Sequence, residues 1–320
     1  EFEALNQEDL LAFRREIGEL NEALKTKYDP LFQKTGRDFK KALTEDVGTI
    51  HKLAPLSEAE LRDVGSVAGV DGSVIRQGGA HPHYVEFYQG LALSMQKKER
   101  RIRRIYTPLL AGDDAVSAEK LHDRYLAEVE LEAAMALVED EDVAVLIMDG
   151  GLLRYAINSP AKWEELRGLC LAKDTLLVGA IKDIKTRDIA RRMDRGRDFY
   201  DREYLAGKLD VGEILILAED KDEEEEGKTA AGLVGAFYRP TRHWEVVGMD
   251  VLAEQKDALN FLARLLYTLT PKNGRGVPFW IDIVDKEVKV KQKEVRLILE
   301  EALDRDMMER FFVSERDRRV

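Results

Sequence analysis

The chain has 320 residues, 44% of them hydrophobic and 35% charged, which suits one large core with an appended segment and excludes three separate domains. A net charge of −12 argues against nonspecific attraction to nucleic acid unless basic groups are clustered. No run nears the roughly 18 apolar residues of a membrane-spanning helix, and the opening EFEALNQEDL lacks a basic-then-apolar leader, so a cytoplasmic location is expected and no membrane partner.

Residues 7 to 45 are polar and helix-favouring, with apolar Leu10, Leu11, Phe13, Ile17, Leu20 and Leu24 at amphipathic spacing. LAPLSEAEL at 53 to 61 predicts a short helix capped by Ser57, with Glu60 closing a capping box. Residues 1 to 62 therefore read as a helical appendage, whose stripe is expected to pack on the main domain at 63 to 320. From Val64 the pattern turns to strand: VGSVAGVDGSV, HYVEFYQGLALSM and ERRIRRIYTPLL, a predicted antiparallel meander. A long helix over Ser117 to Glu139 follows, then VAVLIMDGG, a continuous apolar run typical of a strand buried on both faces. A helix near Pro160 to Ala172, a strand TLLVGAIKD and a basic helix Thr186 to Leu205 come next. Three more strands (GEILILAED, GLVGAFYR, EVVGMDVL) precede a helix over Ala253 to Leu269 and, after GRGVPFWIDIVD, a final helix from Lys291 to about Arg310. Meander, helix, strand, helix, strand is the ribonuclease H order, so the fold expected is α/β: a ribonuclease H-like mixed sheet flanked by helices.

Charge is segregated along the chain. Asp220 to Glu226 (DKDEEEE) reads as a solvated loop. Base gathers in Lys97, Lys98, Arg100, Arg101, Arg103 and Arg104, and again in Arg187, Arg191, Arg192, Arg195, Arg197 and Arg202. Either cluster is a solvated face unless a catalytic site lies beside it. The single cysteine, Cys170, has no zinc-spaced companions and reads as a buried helix residue.

The chemistry lies in acids at strand ends. Asp71 follows apolar Val67 to Val70 and precedes Gly72; Asp149 follows Val143 to Met148 and precedes Gly150. One Asp-Gly alone is an ordinary turn, the aspartate capping the backbone after it. Two of them on strands that a ribonuclease H topology makes parallel neighbours bring two carboxylates to one edge. Such a pair repels unless a divalent cation neutralises it, and oxygen-only ligands select Mg²⁺ or Mn²⁺. A third acid is expected from the preceding helix. At about 100° per residue, Leu121, Tyr125, Val129, Met135 and Ala136 mark its inward face. Glu132 lies near the centre of that face, Glu128 near its margin, and Glu130 points outward, so Glu132 is favoured, with Glu128 second.

VDGS at Val70 to Ser73, the acidic helix, IMDGGL at Ile147 to Leu152, GAIKD at Gly179 to Asp183, FYRP at Phe237 to Pro240 and GVPFWIDIVD at Gly276 to Asp285 together resemble the NurA family of nucleases. The resemblance spans roughly residues 64 to 295. It implies a Mn²⁺-dependent nuclease cutting single-stranded DNA and degrading duplex ends in double-strand-break repair. It also implies a homodimer docked on a HerA-type hexameric ATPase. By position, Asp71, Glu132 and Asp149 carry over as catalytic metal ligands. Where the family has a Gly-Tyr-Pro and a later His, this chain has Val277 and Asp285, so Asp285 stands in the ligand place. The implied mechanism is two-metal hydrolysis with cations about 4 Å apart, Lys182 being placed by analogy to touch the scissile phosphate. Tyr238 and Arg239 stand where they would stack or clamp DNA, a structural aromatic being the alternative. His81, His83 and His243 form no ligand motif. The alternative function is a non-catalytic or RNA-directed protein on the same fold.

Overall fold

The apolar runs beginning at Val67, Val143 and Leu176 lie side by side as parallel strands at the centre of one mixed sheet. The structure, a computed structural model, describes residues 6–32, 36–193, 199–218 and 227–312. In chain order, α1 (Gln7–Phe32) and α2 (Gly36–Asp46) precede β1 (Gly48–Lys52) and the capped α3 (Glu58–Asp63). The meander follows as β2 (Ser66–Gly78), β3 (Tyr84–Ser94) and β4 (Glu99–Tyr106), closed by a short α4 (Pro108–Ala111). Next come α5 (Ala115–Asp140), β5 (Val143–Asp149), α6 (Leu153–Asn158), α7 (Pro160–Ala172) and β6 (Leu176–Ile181). The second half contains α8 (Asp188–Arg192), α9 (Asp201–Leu205), β7 (Glu213–Leu217), β8 (Leu233–Tyr238) and β9 (Val247–Leu252). A 3₁₀ turn (Ala253–Ala258) leads into α10 (Leu259–Leu269), followed by α11 (Phe279–Val288), α12 (Gln292–Ala302), α13 (Arg305–Met307) and a π turn (Met308–Phe312), so the helix expected from Lys291 to about Arg310 is broken after Ala302.

Among the described residues the strands form one nine-stranded sheet in the order β1-β7-β8-β9-β6-β5-β2-β3-β4. The five strands from β6 to β4 have the ribonuclease H arrangement expected from the sequence. The rest extend it antiparallel from β6. Period-2 alternation divides the central strands between two cores. Ala68, Val70, Leu146 and Met148 meet α5 to α7, with Leu137 and Trp163 fully covered. Val67, Val145, Ile147 and Val178 meet α10 and α11 on the other face. Each large side chain here stabilises strongly; cutting a Leu such as Leu137 to Ala costs about 2–5 kcal/mol.

Three expectations need correction. The N-terminal region is not wholly helical, because Gly48–Lys52 pairs with β7 as an edge strand and Phe39, Leu43, Leu53 and Leu56 are core residues. Helix α1 is attached at its C-terminal end, where Leu31 is buried and Tyr28 donates to Glu203, but its stripe does not pack inward: Leu11, Phe13, Ile17, Leu20 and Leu24 are all exposed. Of the basic helix expected over Thr186 to Leu205, the described residues form two five-residue helices, α8 and α9; residues 194–198, with Arg195 and Arg197, and the acidic run from Asp220 to Glu226 lie outside the described residues. Cys170 is buried as expected, its thiol pushed by burial up to about 12. No helix among the described residues is long and apolar enough to cross a membrane.

Candidate active site

Val70 and Met148 are the last paired residues of β2 and β5. Asp71 and Asp149 each come one residue later, so they sit on the same face of adjacent parallel strands, backbones about 5 Å apart. Asp149 ends its strand, whereas Asp71 lies inside β2, which runs on to Gly78 paired with β3 alone. The strand-end expectation therefore holds for Asp149; for Asp71 it is the neighbour that ends. Asp71 is 9% exposed, and the hydrogen bond given to its carboxylate comes from the Gly72 N–H at 2.8 Å. Burial, then the charges of Asp149, Glu130 and Asp285, push its pKa up to about 8. Asp149 is held differently, by a 2.8 Å ion pair from Lys182 at the end of β6. A lysine two residues beyond Ala180, the register partner of Asp149, is on the right face to reach back.

The helix acid whose charge reaches this pair is Glu130, which the sequence phase had pointed outward. Glu130 is 1% exposed; Arg154 and Tyr155 both donate to its Oε2. Burial raises its pKa against the pull of that guanidinium, and Asp149 adds to the rise. Glu132 is directed elsewhere, to Arg104 at 3.2 Å and Lys162 at 2.9 Å. Glu128 is bound by Arg104 and Arg124, whose charges outweigh burial and hold its carboxyl below the usual range. The phase argument assumed one inward face. Here α5 is sandwiched between the sheet and α6–α7, so 127 to 131 are all buried. Two glycines allow the approach: a Cβ on Gly90 would sit 2.1 Å from the Val129 carbonyl, and one on Gly72 2.3 Å from Glu130 Oε1.

Asp285 lies on α11, which crosses the Asp71 face of β2 with Val284, Trp280 and Ile281 packed over Gly69. Its carboxylate accepts from Lys289 at 2.8 Å. Val277, in the place of the family tyrosine, is a core residue. A phenol does enter the site from an unforeseen position, Tyr155, together with Arg154, which also donates to the Asp149 carbonyl at 3.2 Å. Tyr238 is buried, and Arg239 is spent on the carbonyls of Leu209, Arg242 and His243, so neither offers itself to a ligand.

The turn after Asp149 is built around a buried charge pair. Gly150 has φ +111°, a conformation that favours glycine, and Gly179 leaves room for the turn, since a Cβ there would lie 2.6 Å from the Gly150 carbonyl. The turn is closed by the Leu152 N–H donating to Asp250 Oδ2 at 3.1 Å, while Asp250 Oδ1 meets Lys228 Nζ at 2.6 Å, both side chains buried. Asp250→Asn is expected to strand that ammonium and lower stability by about 3–5 kcal/mol. In urea unfolding, adding Lys228→Met should recover much of the loss; simply additive effects would show that the pair is not coupled.

Asp71 is thus a buried carboxylate facing other acids, and the donors around it are all oxygens, the set suited to Mg²⁺ or Mn²⁺. Among the described residues no three His, Cys, Asp or Glu side chains converge closely enough to cage an ion as they stand; Lys182, Arg154 and Lys289 occupy the other acids. Acids facing one another with cationic side chains against them fit a cation site.

Comparison with solved structures finds the NurA nuclease from Sulfolobus solfataricus, 12% identical, aligned over 92% of this chain and 98% of that one with a TM-score of 0.56. The catalytic domain of human Endonuclease V aligns at 18% identity over 82% of this chain and 95% of its own, with a TM-score of 0.36. Endonuclease V from Ciona intestinalis aligns at 15% identity over 89% and 99%, also with a TM-score of 0.36. No curated protein matches the sequence. The family model of the NurA domain matches residues 65–290, from the start of β2 through α11 and so across every acid described above, and the chain belongs to that family.

Proposed function

We propose that this chain is a divalent-metal-dependent nuclease that hydrolyses DNA phosphodiesters, with Asp71, Glu130, Asp149 and Asp285 as the acids that hold the cations. The observation that carries this is Asp71: a buried carboxyl beside Asp149 on the adjacent parallel strand, its pKa raised first by burial and then by the charges of Asp149, Glu130 and Asp285. Glu130 replaces Glu132 in this assignment, since Glu132 is engaged by Arg104 and Lys162. Divalent ions at such a site supply the positive charge that activates an attacking water and stabilises the leaving oxygen. The chain's own groups do the positioning. Arg154 and Tyr155 fix the Glu130 carboxylate, Asp250 holds the turn after Asp149, and Lys182, bonded to the Asp149 carboxylate, stands where its ammonium would contact a phosphate. Mn²⁺ as the preferred ion, a pair of ions, a homodimer, a HerA-type ATPase partner and a place in double-strand-break end processing belong to the same proposal, supported by membership of the NurA domain family.

Labelled single-stranded DNA, duplex DNA and RNA, each incubated with Mn²⁺, Mg²⁺ or chelator, test it. DNA should be cut with metal and spared in chelator, and Asp149→Ala should lose at least about 100-fold, as expected when a group holding the metal is removed. Cleavage in chelator would end the metal assignment, and cleavage of RNA alone would end the DNA assignment.

A further inference from the structure

Most of the basic residues of β4 are paired with acids: Arg100 with Asp140, Arg101 with Glu99 and Arg104 with Glu128 and Glu132, while Arg103 donates to Gln89. A different cleft leads away from Asp149. Lys182, Asp183, Arg202, Trp244, Glu245 and Arg275 line it. It adjoins the acids: Lys182 is itself bonded to Asp149, and the charges of Asp285 and Asp149 both reach Arg275.

Trp244 is 53% exposed, and among the three tryptophans it alone has this character: Trp163 is buried, and Trp280 is partly buried with its indole N–H donated to the Leu93 carbonyl. Nothing loose presents it. Pro240, Thr241 and Val246 are buried on either side of the loop, and Arg239 ties down the carbonyls of Arg242 and His243. The Trp244 carbonyl itself accepts from the Gly207 N–H at 3.0 Å, and the ring of His243 stacks on the indole at 5.6 Å. A rigid loop has thus brought the largest apolar side chain into water beside three cationic groups. Arg202 pairs with the exposed Asp183 and Arg275 with the half-buried Asp282, and pairs open to solvent in this way yield readily to a phosphate.

We propose that Trp244 is the stacking platform for an unpaired base of a single-stranded nucleic acid, with Lys182, Arg202 and Arg275 holding phosphates of the same strand as it reaches Asp71 and Asp149. Indole faces accept any base, so the site selects for unstacked, single-stranded substrate and not for sequence. A paired base keeps its faces stacked on its neighbours and cannot lie on Trp244 without leaving the helix. The inference rests on the nuclease reading for its substrate, yet its test separates the two.

Binding of oligothymidylate is measured in chelator, by tryptophan emission and by a labelled-strand titration, so that no cleavage is needed. Wild type should show quenching on binding. Trp244→Ala should weaken binding by about 5- to 150-fold, while Trp244→Phe should bind within a few-fold of wild type yet lose the quenching; matching melting curves confirm that each variant is folded. Unchanged binding by Trp244→Ala overturns the proposal. So does a change in oligomeric state on size exclusion with binding intact, which would make Trp244 a protein contact. If oligothymidylate binds through Trp244 but no strand is cut with any metal, the stacking site stands and the nuclease assignment falls.

Discussion

Glu130→Gln is expected to lower metal-dependent cleavage by at least about 100-fold while the protein remains folded. Glu132→Gln, two residues away on the same helix, is expected to leave cleavage unchanged. The amide keeps the shape of the carboxylate and can still accept from Arg154 and Tyr155, so the buried packing between Gly72 and α6 survives. What it lacks is the negative charge facing Asp71 and Asp149. Glu132 has its charge answered by Arg104 and Lys162 at a partly exposed position, and neutralising it falls within about 0.5 kcal/mol of stability. Glu128→Gln is the third member of the set. It should destabilise without touching catalysis, because Arg104 and Arg124 lose a shared buried partner. Rates at saturating Mn²⁺ with melting curves for all three variants check the assignment. Loss of activity in Glu132→Gln with Glu130→Gln unaffected would return the site to the acid that helix phase selects.

What sequence could reveal here depended on how local the determinant was. Asp71 and Asp149 were legible because burial of an apolar run and the Gly that follows are properties of adjacent residues, and the parallel pairing of their strands followed from the order of elements. The position of Glu130 was not local. A phase calculation places one face inward, and α5 has two covered faces, the second supplied by α6 and α7 from farther along the chain. A signal was present in Gly72, whose missing side chain is the space Glu130 occupies, but it could be read only once α5 was known to lie over β2. Arg154 and Tyr155 escaped notice for a similar reason: the turn made by Gly150 and Gly151 brings α6 against α5, and no spacing rule connects an arginine to a glutamate 24 residues earlier. The run from Gly276 to Asp285 gave no periodic signal beyond its apolar character, yet Ile281, Val284 and Val288 are the buried stripe of α11 that sets Asp285 over the site. Counting arginines takes no account of their partners: Arg100, Arg101 and Arg104 of the first cluster meet Asp140, Glu99, Glu128 and Glu132, whereas Arg202 of the second lines the cleft beside Trp244; Trp244, a single exposed ring, has no pattern at all.

Asp71→Asn should abolish cleavage and at the same time make the metal-free protein more stable, increasingly so as pH rises from about 4 to about 8. The folded-state pKa of Asp71 is raised to about 8 from the ordinary 3.8, chiefly by burial and then by Asp149, Glu130 and Asp285. Between those two values the unfolded chain has released a proton that the folded protein still holds, so Asp71 makes folding less favourable with each step upward in pH. Below about pH 4 both states are protonated and the residue costs nothing of this kind. Asparagine carries no ionisation, so the difference between the wild-type and variant melting curves reports Asp71 together with its coupling to Asp149, Glu130 and Asp285, and groups remote from it cancel. With chelator present, the variant should gain at least about 2–4 °C over wild type at pH 8 relative to pH 4, which for a chain of this size corresponds to about 1 kcal/mol. Mn²⁺ at pH 8 should reverse the order: a cation bound by the folded protein stabilises wild type by mass action, and the variant, lacking that carboxylate, should respond weakly. A difference between the two proteins that is the same at pH 4 and pH 8 would mean that Asp71 is already ionised or paired in the fold, and the cation site would lose the buried charge on which its assignment depends.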